Sequence, residues 1–312
     1  MERYTQWRDK STGISPFLPI LQSNVLGYNE SSIGKIIKNF KIDLVGSFIL
    51  VLIKVVVILP LLLLSLVIGG IIGHGQIWWL NRLILSISGL TSYELTIQNL
   101  KSKNLNKSFY PSKGDVFLCN FSSPLDLITL YLISNDDFVI LLPNTKGGLS
   151  IQSISQFLKK SISGVLLDEI DSLIDYKQLE NKIIYIFPEG TTSNGKSILP
   201  FKLNQTYFNE FINNLQSDKK THKIRTLGLK YYPSTLVTPI SYSSWSFLFK
   251  ILSQLTYNVK ARINFPNQLN SIDTDLNKLR LSFTNNGKFK LVSDELDINS
   301  KKAFIENYIG RR

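Results

Sequence analysis

The stretch IIYIFPEGTTSNG, Ile183 to Gly195, is where the chain declares its architecture. Ile183 to Phe187 is an apolar, β-branched and aromatic run bounded by turn residues, the pattern of a buried strand. Pro188 ends that strand and Gly190 permits a sharp change of direction. Glu189 is thereby held at the carboxyl end of a strand, where open α/β sheets place their ligands. The competing reading is a solvated turn that carries an incidental charge.

Outward from that turn, short apolar runs alternate with helical stretches. VFLCN, FVILL, GVLL, KIIYIF, IRTLGLKYY and VKARINF are strand candidates. LDLITLYLI, IQSISQFLKK and FNEFINNL are helix candidates between them. The alternation predicts an α/β domain over 115–312, with a largely parallel sheet flanked by helices and a terminal helix after irregular structure. An earlier loop, CNFSSPLD from Cys119 to Asp126, follows the first strand. Ser123 and Pro124 suit an N-cap and first helical position. Asp126 then falls where a capping-box carboxylate sits, which by itself accounts for the residue.

Before the domain lies the apolar segment Leu44 to Ile72, LVGSFILVLIKVVVILPLLLLSLVIGGII. It is too long, and starts too late, for a cleaved signal peptide. About 20 apolar residues suffice to cross a bilayer. Pro60 near its middle and Lys54 in its first half favour a hairpin that turns at the proline over a single transmembrane helix. Lys35, Lys38 and Lys41 precede the segment and Arg82, Lys101, Lys103 and Lys107 follow it, which favours both ends on the cytoplasmic side. Trp78, Trp79 and NRLILSISGL suggest an interfacial anchor and an amphipathic surface helix. The organisation is then a polar segment over 1–43, a membrane segment with interfacial helix over 44–97, a linker over 98–114, and the α/β domain.

Composition narrows the partners. The chain has 312 residues, 44% of them hydrophobic, and its 35 Lys plus Arg leave a net charge of +12. That excess points to phosphorylated ligands or anionic lipid. Nucleic acid is the weakest anionic partner, since the lysines are scattered with no zinc-finger spacing, ribonucleoprotein motif or basic helix, and a soluble nucleic-acid binder fails on the Leu44 to Ile72 segment. One cysteine, Cys119, rules out an internal disulfide, and two histidines, His74 and His222, rule out a metal site built on several histidines.

Together these motifs resemble those of the glycerolipid acyltransferases, which transfer an acyl chain from acyl-CoA to a lysophospholipid or glycerol phosphate. Phe187, Pro188, Glu189, Gly190, Thr191, Thr192, Ser193, Asn194 and Gly195, with Phe201 and Lys202 beyond, match the family's third motif nearly throughout. Asn120 to Asp126 aligns with its first motif, His-x-x-x-x-Asp preceded by Asn. IRTLGLKYY is similar to its fourth-motif strand. The resemblance covers about 115–232 plus the membrane region, and is greatest to the fungal lysophosphatidic acid acyltransferases of endoplasmic reticulum and lipid droplets. It implies acyl-CoA and lysophosphatidic acid as substrates, membrane lipid as surroundings, and no cofactor or metal. It also implies Asp126 as a catalytic residue, with an acceptor site drawn from Phe121, Ser122, Ser123, Pro188, Glu189, Gly190, Thr191, Thr192 and Lys202. Glu189 would meet the glycerol hydroxyl or phosphate region. The catalytic domain would face the cytosol.

Two departures bear on chemistry. Phe121 stands where the motif histidine belongs and can neither take nor give a proton. Asp168 stands where a phosphate-binding arginine is expected, leaving Lys202, Lys146 or Lys230 for that contact. General-base catalysis contributes about 10² to 10⁴-fold, whereas positioning reaches effective molarities of about 10⁵ to 10⁸ M. A site without histidine can therefore turn over through positioning, with Asp126 or water taking the proton. The alternative function is a catalytically silent lipid-binding or scaffold protein on the same membranes.

Overall fold

The computed structural model describes residues 2–20, 44–72, 78–98, 100, 109–164, 174–216, 223–264, 274–284 and 289–309. GVLL beyond Gly164, Asp168, both histidines, both lysine clusters that flank the apolar segment, and most of the 98–114 linker lie outside them. The chain divides into two compact units. The larger comprises 1–19, 94–242 and 260–312, and the smaller 20–93 and 243–259.

The larger unit is built on a seven-stranded sheet. Its strands are β1 (Leu90–Ile97), β2 (Asp115–Cys119), β3 (Phe138–Pro143), β4 (Leu149–Gln152), β5 (Ile183–Ile186), β7 (Lys223–Tyr232) and β8 (Tyr257–Asn264). To this unit β1 contributes from Glu94 and β8 from Lys260 onward. Their order is β1-β8-β7-β2-β5-β3-β4. β2 pairs parallel with β5 and β7, β3 pairs parallel with β5, and β4 closes the edge antiparallel to β3. The α/β expectation holds. β1 was not foreseen, because its alternating polar residues sit within what reads as membrane segment and interfacial helix.

Both faces of the sheet are covered, which is why its central strands read as unbroken apolar runs. Val116, Leu118, Ile184 and Ile186 point to one face and pack with Phe208, Phe211, Ile212 and Leu215. On the other, Phe117 stacks on Tyr185 at 5.6 Å. Helix α3 (Leu125–Ile133) follows β2 over the anticipated residues, and α5 (Gln205–Gln216) contains the FNEFINNL stretch. Helix α4 is Ile154–Ser163 rather than the earlier start expected, because Ile151 and Gln152 complete the β4 ladder. Ser153 caps it with Gln156 in a reciprocal capping box. The C-terminal stretch holds α7 (Leu276–Ser282), the short β9 (Lys290–Leu291) paired with β6 (Ser197–Ile198), and α8 (Ile298–Ile309). The first twenty residues are not free of this unit: Trp7 and Phe17 pack on Phe304 of α8.

In the smaller unit, α1 is one continuous helix, Leu44–Ile72, with Pro60 inside it. The expected hairpin turn at Pro60 is therefore overturned. A proline inside a helix removes one hydrogen bond and costs about 3 kcal/mol; a reversal there would strip partners from several backbone groups in apolar surroundings. At 1.5 Å per residue the helix is about 43 Å long. Its 46–68 stretch is long and apolar enough to cross a membrane and is 11% buried. Helix α2 (Trp78–Ser88) rests on it through Leu80 and Ile84 against Ile58, Leu61 and Ile68. Helix α6 (Ser244–Leu252) completes the unit.

Lys54, so conspicuous in the apolar segment, is 7% exposed. Its Nζ donates to Ser88 O at 3.0 Å and to Gln254 O at 2.5 Å. The ammonium thus satisfies carbonyls at the C-terminal ends of α2 and α6, where cations are favoured.

Candidate active site

Parallel pairing sets Leu118 of β2 beside Ile186 of β5, so the loops that follow leave the sheet side by side. These are the 120–126 and 187–195 loops, the two motifs singled out in the sequence. Asn120 extends the ladder to β7: its Nδ2 donates to Leu229 O at 3.1 Å and Leu229 N–H donates to its Oδ1 at 2.6 Å.

Glu189 joins the two loops. Its Oε1 accepts the Phe121 N–H at 3.0 Å and its Oε2 accepts the Leu199 N–H at 2.9 Å. At 1% exposure it is no solvated turn. Burial pushes its carboxyl up to about 8, against the opposing pull of both N–H donors and the Arg280 charge. Gly190, at φ +67°, supplies the left-handed turn that follows.

Asp126 collects four donors. Oδ2 accepts the N–H groups of Ser122 and Ser123 at 2.9 and 3.0 Å; Oδ1 accepts the Ser122 hydroxyl at 3.2 Å and the Tyr231 hydroxyl at 2.6 Å. The expected Ser123 cap is corrected: α3 begins at Leu125 with Pro124 as its N-cap and no side-chain cap bond there, while Asp126 reaches back to the N–H groups of Ser122 and Ser123. Burial raises the Asp126 carboxyl to about 6, and the four hydrogen bonds limit the rise. Ser123 Oγ donates to Leu236 O at 2.8 Å and fixes the loop from the other side.

Phe121 fills its position with packing. Its ring stacks on Phe157 at 5.1 Å and lies 5.1 Å from Phe187, and those two are 5.0 Å apart. Three mutually touching rings occupy the place where the motif resemblance expects an imidazole, a geometry favourable to aromatic pairs.

Thr191 and Thr192 are anchored rather than open. Thr191 Oγ1 donates to Gly164 O at 2.5 Å and Thr192 Oγ1 to Thr238 O at 2.5 Å. Beneath them lies Lys301 of α8, fully buried. Its Nζ donates to Gly164 O at 2.6 Å, to Thr191 Oγ1 at 2.9 Å, to Thr192 Oγ1 at 3.1 Å and to Thr192 O. Burial draws the ammonium well below the ordinary lysine range, and the Glu189 charge opposes that. Above the third motif passes the N-terminal segment: Asn194 N–H donates to Pro16 O at 2.9 Å and its Nδ2 to Ser15 O at 2.8 Å.

Lys202 is tied to the motif through its N–H, which donates to Pro188 O at 2.8 Å. With Lys146, Arg280, Asp294 and Asp297 it lines an open pocket of about 540 Å³. Of the three lysines considered for a phosphate, Lys230 is not among these lining residues; its ammonium lies over the rings of Tyr232 and Phe289 at 5.9 and 5.8 Å. Asp168 and His222 lie outside the described residues. No cluster of metal-ligating side chains occurs among the described residues.

Sequence reasoning missed Tyr231, Lys301 and Arg280. Tyr231 sat in a predicted strand two residues from Leu229, the Asn120 partner, so alternation put it on the same face. Lys301 and Arg280 lie in ordinary amphipathic stretches with no signal at all. Arg280 spends its guanidinium on Leu199 O at 3.1 Å, Val292 O at 2.7 Å and Asp294 at 3.0 Å. It thus holds the residue after β6, Leu199, whose N–H donates to Glu189.

No family model matches the chain. Among curated proteins it is 32% identical to "Lysophosphatidic acid:oleoyl-CoA acyltransferase 1" of Saccharomyces cerevisiae, over 99% of this chain and 98% of that one. It is 26% identical to "Putative lysophosphatidic acid:oleoyl-CoA acyltransferase" of Schizosaccharomyces pombe, over 85% of this chain and 84% of that one. Likeness at that level along both full lengths, over a sheet that brings the two motif loops together, makes the chain a member of the fungal lysophosphatidic acid acyltransferase family.

Proposed function

We propose that the chain transfers an acyl group from acyl-CoA to the free hydroxyl of lysophosphatidic acid, giving phosphatidic acid and CoA. The hydroxyl oxygen attacks the thioester carbonyl, the C–S bond breaks, and the hydroxyl proton, taken up first within the protein, passes to the departing CoA thiolate. Asp126 is the proton acceptor in this reading. The observation that carries it is the joining of the two motif loops, where Glu189 accepts the Phe121 N–H next to Ser122, whose own N–H donates to an Asp126 carboxyl that burial raises to about 6. That value sits close to neutral pH, where a general base is most effective. Tyr231 holds the same carboxylate through a hydroxyl donated to its Oδ1. Lys202 and Lys146 supply positive charge in the adjoining pocket for an acceptor or CoA phosphate. In the apo arrangement the Asp126 oxygens are occupied, so substrate must displace the Ser122 hydroxyl, the longest of the four contacts.

The work is placed on the cytosolic face of the endoplasmic reticulum and on lipid droplets. Residues 2–19 and 94–242 belong to one unit although α1 lies between them in sequence. That shared unit supports cytosolic ends on both sides of α1, as do Lys35, Lys38 and Lys41 in a 20–43 sequence with no apolar run long enough to cross a bilayer. A helix embedded from one side suits the monolayer of a droplet.

The deciding assay uses purified protein with oleoyl-CoA and a panel of lysophospholipids. Phosphatidic acid formed by the wild type, and falling about 10² to 10⁴-fold in Asp126→Asn, supports the reading. No product with any acceptor or acyl-CoA returns the chain to a lipid-binding or scaffold role.

A further inference from the structure

Helix α6 comes from a part of the chain remote from the apolar segment, yet it packs in the same unit as α1. Phe247 and Leu252 are its buried side. Its other side is apolar and uncovered: Trp245 is 81% exposed, Leu248 44% and Phe249 36%, with Leu255 just beyond at 43%. At 3.6 residues per turn, positions 245, 248 and 249 fall within about 100° of arc, so they form one stripe. Between Ser244 and Leu255 the only charged residue is Lys250, and there is no carboxylate. A large exposed indole in such a stripe is an expensive surface to leave in water.

The occupant is indicated by what the stripe adjoins. Gln254, two residues past the end of α6, gives its carbonyl to Lys54 Nζ. Lys54 is flanked in α1 by Leu52, Ile53, Val55 and Val56, which are 39–63% exposed. The end of α6 is thus fastened to the side of the apolar helix, within its hydrophobic length rather than at a polar terminus. Whatever medium bathes that part of α1 also reaches α6.

We propose that α6 is a second membrane-inserted element, with Trp245, Leu248, Phe249 and Leu255 in the acyl region of the leaflet that holds α1. The Lys54 ammonium is then the bracket that fixes two lipid-facing helices together and covers the carbonyl ends they would otherwise present to hydrocarbon. This rests on reading α1 as embedded in a membrane.

The test uses full-length protein carrying Cys119→Ala and one added cysteine. The new cysteine is placed at Trp245, at Leu248, at Leu63 as the α1 reference, or at exposed Glu210 of α5 as the aqueous reference. Each is labelled with an environment-sensitive fluorophore and reconstituted into phosphatidylcholine–phosphatidylserine vesicles with or without brominated acyl chains. Expected is a blue shift and a bromolipid-dependent loss of emission at 245 and 248 that match Leu63, with neither change at 210. If 245 and 248 follow Glu210 while Leu63 is quenched, α6 stays in water and the proposal fails, although α1 remains embedded. A blue shift at 245 without bromolipid quenching means a protein partner or a second copy covers the stripe, and likewise overturns it. If Leu63 is not quenched either, the membrane reading of α1 falls, and this proposal with it.

Discussion

Replacing Glu189 by glutamine should reshape how stability depends on pH, because this carboxyl is buried and bridges two loops. Its value is about 8 in the folded protein against 4.5 for the free group. A carboxyl raised in this way binds more protons folded than unfolded. Its stabilising contribution is complete below about 4.5 and is lost as pH climbs to about 8. Asp126 is raised too, from 3.8 to about 6, so its own loss runs on to about pH 7 but is common to wild type and variant. From pH 6 to 8 the slope that separates wild type from variant belongs to Glu189. At about 1.4 kcal/mol per pH unit for one proton, the wild type should lose up to about 3 kcal/mol across that window. For a unit of this size, that is about 5–10 °C in midpoint temperature. Glutamine copies the protonated carboxyl, with one oxygen still accepting from Phe121 or Leu199, so Glu189→Gln should be flat by comparison. Thermal unfolding in detergent at pH 6, 7 and 8, wild type beside variant, reads this directly. Parallel slopes would show that the two N–H donors and Arg280 keep Glu189 ionised, and would refute burial as the dominant influence.

Phe121→His places an imidazole five residues before Asp126 at the loop, and turnover should rise by up to about 10² to 10⁴-fold, less what the smaller ring gives up beside Phe157 and Phe187. A fall in turnover would mean that the three-ring packing is itself required. Lys301→Met strips the donor from two carbonyls and two hydroxyls and should destabilise by about 2–5 kcal/mol, seen as a lowered midpoint in the same thermal assay. An unchanged midpoint would show these acceptors are content without it. Asn29-Glu30-Ser31 and Asn106-Lys107-Ser108 lie on opposite sides of α1 in sequence, and neither should be glycosylated in cells. A glycan at Asn29, read as a glycosidase-sensitive shift on a gel, would place the N-terminal flank in the lumen and refute a one-sided α1.

What could be read from the sequence, and what could not, divides along the reach of the interactions involved. The strands around Val116 and Ile184 announce themselves because burial on both faces demands apolar residues at every position. Helix α3 is legible to within one residue, since a Ser-Pro entry and a carboxylate near its start are local devices. Pro60 misled for the opposite reason: a proline signals a lost hydrogen bond, but whether the chain reverses depends on what the alternative would expose. Glu189 shows the same limit inside the site. Its position at a strand end follows from Pro188 and Gly190, whereas the donors it accepts come from Phe121, 68 residues earlier, and from Leu199. Lys301 and Tyr231 are farther still, 110 and 105 residues from the motif residues they touch. A buried cation or phenol leaves no periodic trace, because each acts once, at one point, across the fold. The two motif loops therefore carry the family's signature, and the residues that hold those loops in place are scattered through strands and helices that look unremarked in one dimension. For a site that has given up its histidine, that scattered support decides how much catalysis remains. Positioning is the larger share of the acceleration available to acyl transfer, and in the proposed reaction it would rest on Glu189, Tyr231, Lys301 and Arg280, whose hydrogen bonds hold the two loops.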